Sequence, residues 1–171
     1  MKCVLRDTLL DRDDSVFDYG CGHGDDIRHL QGLGFNCDGW DPVHRPDVPR
    51  RPADAVNLGY VLNVIEDLQE RAETLRDAWQ LCRKVLVVAA RISVGDGGEF
   101  GAEYGDGVLT RLGTFQKLYT QAKLREYLQG VLETEPAPNG FSSRSRCLHR
   151  STLLGVARPT CWPCLPRRHC L

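Results

Sequence analysis

Three glycines at alternate positions in Asp18-Tyr19-Gly20-Cys21-Gly22-His23-Gly24-Asp25 make this the stretch with the clearest chemical meaning. Glycine adopts backbone conformations closed to other residues and lets a ligand lie against main chain where a Cβ would intrude. Exposed amides at a following helix start can then meet anionic or polar groups. The third glycine comes one position earlier than in the dinucleotide fingerprint G-x-G-x-x-G, and Asp18 stands two residues before the first. That spacing disfavours a pyrophosphate cradle, and with it a nicotinamide-dependent oxidoreductase. A second acid, Asp41, follows 21 residues after Gly20. At a strand end such a carboxylate accepts both hydroxyls of a ribose, so the pair fits a nucleoside without pyrophosphate. The plain alternative is a glycine turn with no ligand.

Elements able to position these residues follow from the pattern around them. Ser15-Val16-Phe17-Asp18-Tyr19-Gly20 is a short apolar-rich run ending at a glycine, a strand entering a turn. Residues 25–31 open with two acids and precede Gly32 and Gly34, the start and stop signals of a helix. Residues 35–41 alternate weakly and end at Asp41-Pro42, as a second strand would; the proline- and arginine-rich residues 42–52 are a connection. Residues 53–59 supply a third strand, and Leu68, Ala72, Leu75, Trp79 and Cys82 recur at steps of three or four, defining one face of a helix over 66–84. Val85-Leu86-Val87-Val88-Ala89-Ala90 is continuously apolar, the signature of a strand buried on both faces of a parallel sheet. Six glycines among residues 95–107 predict a loop beyond that strand, and residues 116–131 a last helix with Leu118, Ala122, Leu124, Tyr127 and Leu128 inward. Strands alternating with helices predict an α/β fold with a doubly wound, mostly parallel sheet.

S-adenosylmethionine is the common cofactor with a ribose and no pyrophosphate, and the glycine loop resembles the acid-x-G-x-G-x-G motif of class I, Rossmann-like methyltransferases. Longer strings narrow the resemblance. Phe17-Asp18-Tyr19-Gly20-Cys21-Gly22, Gly39-Trp40-Asp41-Pro42, residues 56–67 (VNLGYVLNVIED) and residues 105–117 (GDGVLTRLGTFQK) are similar to the DNA phosphorothioation-associated methyltransferase family. The resemblance implies S-adenosylmethionine as cofactor, with Asp18, Tyr19, Gly20, Cys21, Gly22 and Gly24 around its methionine end. It places Asp41 and Pro42 at the ribose, with Asn57 and Leu58 completing the site. It also implies a genomic link to systems that replace a DNA phosphate oxygen by sulfur, making DNA or DNA-modification proteins the expected partners. A non-catalytic module that keeps the cofactor pocket for binding or assembly is the rival reading.

Methyl transfer is an in-line displacement, in which an enzyme holds nucleophile and methyl in line and helps a weak nucleophile lose its proton. Asn57-Leu58-Gly59-Tyr60 falls where amino-methylating DNA enzymes keep an Asn or Asp, two prolines and an aromatic residue. Asn57 would accept from an exocyclic amine and Tyr60 would stack on an extruded base; these are the candidate catalytic residues, although both prolines are missing. The bland alternative has Asn57 capping the strand loop and Tyr60 packing over the cofactor. Glu66 and Asp67 read better as dipole partners of a helix start than as general bases. His23 can touch substrate or be solvated. Thr114-Phe115-Gln116-Lys117 fits a substrate lid or, equally, an N-cap threonine before the last helix. Arg45, Arg50 and Arg51 suit phosphates, and also suit an ordinary solvated surface.

Composition sets the outer bounds. The chain has 171 residues, 42% apolar and 26% charged, which suits one domain able to bury a core, and its formal charge of -1 advertises no global affinity for nucleic acid or membrane. No apolar run approaches the roughly 20 residues of a membrane helix, so a cytoplasmic location is expected. Charge divides the sequence: residues 1–140 hold 16 basic and 23 acidic side chains, and residues 141–171 hold six basic and none acidic. We therefore expect a methyltransferase-like domain over 1–140 and an Arg/Cys-rich tail over 141–171. The family's continuation, with its last strands, is not matched by that tail, whose composition would also suit a shifted reading frame or a truncation. Cys3, Cys21, Cys37 and Cys82 are scattered as reduced thiols would be. Cys161-Trp162-Pro163-Cys164 with His169-Cys170 offers four zinc donors, but the adjacent second pair is hard to aim at one ion, so no metal is expected.

Overall fold

The computed structural model describes residues 10–92 and 101–132. The predicted tail, with its cysteines, lies outside the described residues. Four strands, β1 (Ser15–Tyr19), β2 (Asn36–Trp40), β3 (Ala53–Gly59) and β4 (Cys82–Ala89), form an all-parallel sheet in the order β2-β1-β3-β4. Helix α1 (Asp25–Gly32) joins β1 to β2, and α2 (Leu68–Leu81) joins β3 to β4. Residues 41–52 connect β2 to β3 without a helix.

Alternation of side chains along each strand sorts the core into two faces. Val16 and Ala55 meet Ile27 and Leu30 of α1, together with Cys37. On the opposite face Phe17, Tyr19, Val56, Leu58, Leu86 and Val88 meet Leu75 and Ala78 of α2 and Leu124, Leu128 and Leu132 of α3 (Gln121–Leu132). Helices on both faces make the sheet doubly wound, as expected. In β4, Val85 and Val87 are buried on one face and Leu86 and Val88 on the other, which accounts for its unbroken apolar run. Each fully buried Leu or Val contributes about 1.5–3 kcal/mol through removal from water. Among the described residues no helix is long and apolar enough to cross a membrane.

Several expectations require correction. The inner face of α2 is carried by Arg71, Leu75 and Ala78, whereas Leu68 is 60% exposed and Cys82 belongs to β4. A buried arginine on the apolar stripe, paired by polar partners described below, shifts the face by one position. The six glycines of residues 95–107 predict loop throughout. Residues 101–107 instead contribute to a small antiparallel sheet of β5 (Ala102–Tyr104), β6 (Gly107–Leu109) and β7 (Phe115–Gln116); residues 95–100 lie outside the described residues. Gly105, at φ 55°, opens a two-residue turn between paired Tyr104 and Gly107. At Gly107 a Cβ would stand 2.5 Å from the Gln116 carbonyl oxygen, so glycine there permits the strand approach. The last helix accordingly starts at Gln121 rather than Gln116, leaving Leu118 ahead of it and Ala122 exposed. Thr120, whose hydroxyl accepts from the Lys123 amide at 3.2 Å, holds that helix start, and Thr114 instead pairs with the Thr110 hydroxyl at 2.7 Å.

Candidate functional site

Strand β1 has β2 on one side and β3 on the other, so chain connections leave its carboxyl end in opposite directions. A crevice opens at such a point in a parallel sheet. The glycine loop leaves β1 there, and the amides of Gly20 and Cys21 both donate to the Trp40 carbonyl at 2.8 and 3.1 Å, binding the loop to the end of β2. Gly20, at φ 81°, has Val61 against it so closely that an added Cβ would lie 2.4 Å from Cγ2. Gly22, at φ 52°, faces open space. The two glycines therefore differ in role: one admits the neighbouring β3 loop, and the other has open space where a side chain would stand.

Two carboxylates flank this loop in different electrostatic states. Asp41 Oδ1 accepts from the amides of Val43 and His44, each at 2.9 Å, and Oδ2 accepts from the Gly22 amide at 3.0 Å. Burial works against its ionised form, but the three amide donors prevail and hold it below the usual carboxylate range. With one bond on Oδ2 against two on Oδ1, Oδ2 keeps capacity for a further donor. Asp18 is 5% exposed, and burial raises it to about 6 despite the Asn57 amide, which donates to Oδ1 at 2.7 Å; Asp26 and Asp41 add like charge.

Asn57 is buried beside Asp18. The Tyr19 ring points to the opposite face, where its hydroxyl accepts from Arg50 at 3.0 Å and lies 3.3 Å from Asp77; the Leu58 side chain is wholly in the core. Neither side chain shares the sheet face of Asp18 and Asn57. Cys21 is half-buried with Sγ 3.6 Å from the Gly22 carbonyl, and burial pushes its thiol up, away from nucleophile chemistry. Pro42 is exposed in the turn closed by Asp41 and Arg45. Tyr60 is 48% exposed and holds a left-handed backbone, φ 62°, with its amide tied to the Ala89 carbonyl at 2.7 Å. A bulky residue held there stores about 1–3 kcal/mol of backbone strain. His23 packs its ring 4.0 Å from that of His44, centroid to centroid. Arg45 and Arg51 bind Asp38, and Arg50 binds Asp77 at 2.9 Å, so all three arginines have carboxylate partners. Asp67 caps α2 by accepting the Glu70 amide at 2.7 Å, in keeping with a helix-start role.

One network has no counterpart in the sequence reading. Arg71, 1% exposed, donates to both oxygens of Asp106 at 2.7 and 3.1 Å and to the Ile65 and Glu66 carbonyls. Lys117 also pairs with Asp106 at 3.1 Å, its amide donates to the Asn63 carbonyl at 2.7 Å, and Asn63 Nδ2 donates to Gln116 at 2.9 Å. The two long strings, 56–67 and 105–117, thus pack together. The available signal was an arginine falling in phase with Leu75 and Ala78 on the apolar stripe. Beside this network lies a cleft of about 530 Å³ lined by Glu66, Asp67, Glu70, Tyr104 and Asp106, among others.

No family model matches the sequence. No curated protein matches it either. Among solved structures the chain is similar to the 1,6-didemethyltoxoflavin-N1-methyltransferase of Burkholderia thailandensis, crystallised with 1,6-didemethyltoxoflavin and S-adenosylhomocysteine. The TM-score is 0.51 and the identity 16%, over 70% of this chain and 60% of that one. This chain therefore matches about three fifths of that enzyme's length. The likeness establishes the fold: a parallel sheet with flanking helices, of the class I methyltransferase type.

Proposed function

We propose that this chain is an S-adenosylmethionine-dependent methyltransferase domain acting within or beside DNA-modification systems that introduce phosphorothioates. The observation that carries the cofactor reading is the glycine loop after β1, where Gly22 has open space beside it, Asp18 is the penultimate residue of the strand before it, and Asp41 accepts from its amide. When bound, S-adenosylmethionine supplies a methyl group on a sulfonium, reactive by in-line displacement. Asp41 Oδ2 holds a ribose hydroxyl, with Pro42 shaping the turn beside it. Asp18 faces the amino-acid end with the main chain of Tyr19, Gly20, Cys21, Gly22 and Gly24, and Leu58 contributes its backbone. Tyr60, strained and half-exposed beyond β3, presents its ring to the methyl acceptor. DNA, or a protein handled with it, is the proposed partner; this rests on the resemblance carried by residues 56–67 and 105–117, whose mutual packing supports reading them as one unit.

A second reading, a module that binds cofactor without transferring methyl, is favoured by one observation. The two prolines that amino-methylating DNA enzymes keep between their Asn or Asp and the aromatic residue are replaced here by Leu58 and Gly59. Calorimetric titration with S-adenosylmethionine and S-adenosylhomocysteine tests the shared premise. Micromolar binding, weakened at least tenfold (about 1.4 kcal/mol) by Asp41→Ala, is expected. Absence of binding by a folded wild-type protein refutes both readings, and transfer of labelled methyl to DNA separates the enzyme from the module.

A further inference from the structure

The described residues surround Asp18 with an unusual set of neighbours. Its Cα pairs with that of Asn57 across β1 and β3, which places the two side chains on the same face of the sheet, and both are at least nine-tenths buried. The Asn57 amide at 2.7 Å is the hydrogen-bond donor that Asp18 finds among the described residues. Neighbouring side-chain charges add to its own: Asp26 of α1 and Asp41 beyond β2 are both acids. A buried carboxylate normally has a cation beside it, because removal from water costs several kcal/mol. Here the partner is a neutral amide, which fixes the direction of the carboxylate without cancelling its charge. The charge is left for whatever enters the crevice.

We propose that Asn57 is a positioning residue, which holds Asp18 as an oriented, uncancelled anion for the ammonium group at the amino-acid end of the cofactor. The inference rests on the cofactor reading above and gives Asn57 a role through Asp18 rather than on the methyl acceptor. A lysine or arginine at position 57 would orient Asp18 equally well, but would compete with the ligand's ammonium. A serine would be too short to reach it. Asparagine combines reach with neutrality.

Two ligands that differ only at the relevant end test this. S-adenosylhomocysteine carries the amino-acid portion, and 5′-methylthioadenosine keeps the adenosine and sulfur but lacks the ammonium and carboxylate. Both are titrated calorimetrically into wild type, Asn57→Leu, Asn57→Ser and Asp18→Asn, with folding checked by circular dichroism. We expect Asn57→Leu and Asn57→Ser to weaken S-adenosylhomocysteine at least tenfold while changing 5′-methylthioadenosine less than twofold. Asp18→Asn should give the same selective loss, and combining it with Asn57→Leu should add nothing further, since both act on one anion. Equal weakening of both ligands would assign Asn57 a merely structural role and overturn the proposal, as would unchanged S-adenosylhomocysteine binding. If Asn57→Leu does not fold, Asn57→Ser decides by the same comparison. Failure of wild type to bind either ligand is a different result, which refutes the cofactor reading itself.

Discussion

Replacing Asp18 by asparagine should make the ligand-free protein more stable and the cofactor site worse. In the folded chain Asp18 titrates at about 6 against an ordinary 3.8, chiefly because burial penalises its charge, with Asp26 and Asp41 adding repulsion and Asn57 opposing. Between those two pH values the folded protein keeps a proton that the unfolded chain has released. Stability from this group is therefore complete below about pH 4 and is lost as pH rises through 6. At about 1.4 kcal/mol per pH unit the loss totals about 3 kcal/mol. Asp18→Asn keeps the size of the side chain, and its new amide oxygen can still accept from Asn57, so it should recover up to about 3 kcal/mol at pH 8 and nothing at pH 3.5. Urea unfolding of both proteins across that range measures the difference directly. Subtraction matters, because Asp41, Asp54 and Asp106 lie below the usual carboxylate range and contribute the opposite slope, lost as pH falls. A difference that does not change with pH between about 4 and 6 would refute the account of Asp18 as a buried, uncompensated anion.

Gly20→Ala should destabilise by about 2 kcal/mol or more in urea melts, because the new methyl meets Val61 and the backbone is left-handed; Gly22→Ala, with open space beside it, should lose only about 1 kcal/mol but weaken S-adenosylhomocysteine binding. Arg71→Met should cost about 3 kcal/mol by leaving the Ile65 and Glu66 carbonyls without their donor and Asp106 with Lys117 alone, and adding Asp106→Asn should return part of it. Tyr60→Gly should gain about 1 kcal/mol of stability through relief of the left-handed backbone while lowering methyl transfer to a planar acceptor, which thermal melts and a labelled-methyl assay read separately.

The four parallel strands and α1 were legible because their signals are local: a glycine that stops β1, an apolar run in β4, two acids at the start of α1. The inner face of α2 was misread because its central residue is Arg71, and a charged side chain on an apolar stripe is discounted unless its partner is known. That partner, Asp106, lies 35 residues away in a turn whose flanking strands have three residues each, too short for a period of two to show among glycines. The glycine loop and its two acids were visible as a constellation, but not their different states. The bond from Asn57 to Asp18 depends on the register of β1 against β3, and the amides on Asp41 depend on a turn that no spacing rule specifies.

The three amides gathered by Asp41 have a thermodynamic corollary. By grasping Gly22 with one oxygen and Val43 and His44 with the other, this carboxylate stitches the glycine loop to the turn after β2 before any nucleoside arrives. The conformational entropy of ordering both segments is thus settled during folding, so on the proposed cofactor reading an incoming nucleoside would meet a cradle already formed and retain more of its interaction energy as affinity. On the same reading the scaffold and the pocket would share one side chain, so a substitution that loosens the turn after β2 would be felt at the ligand as well as in the fold.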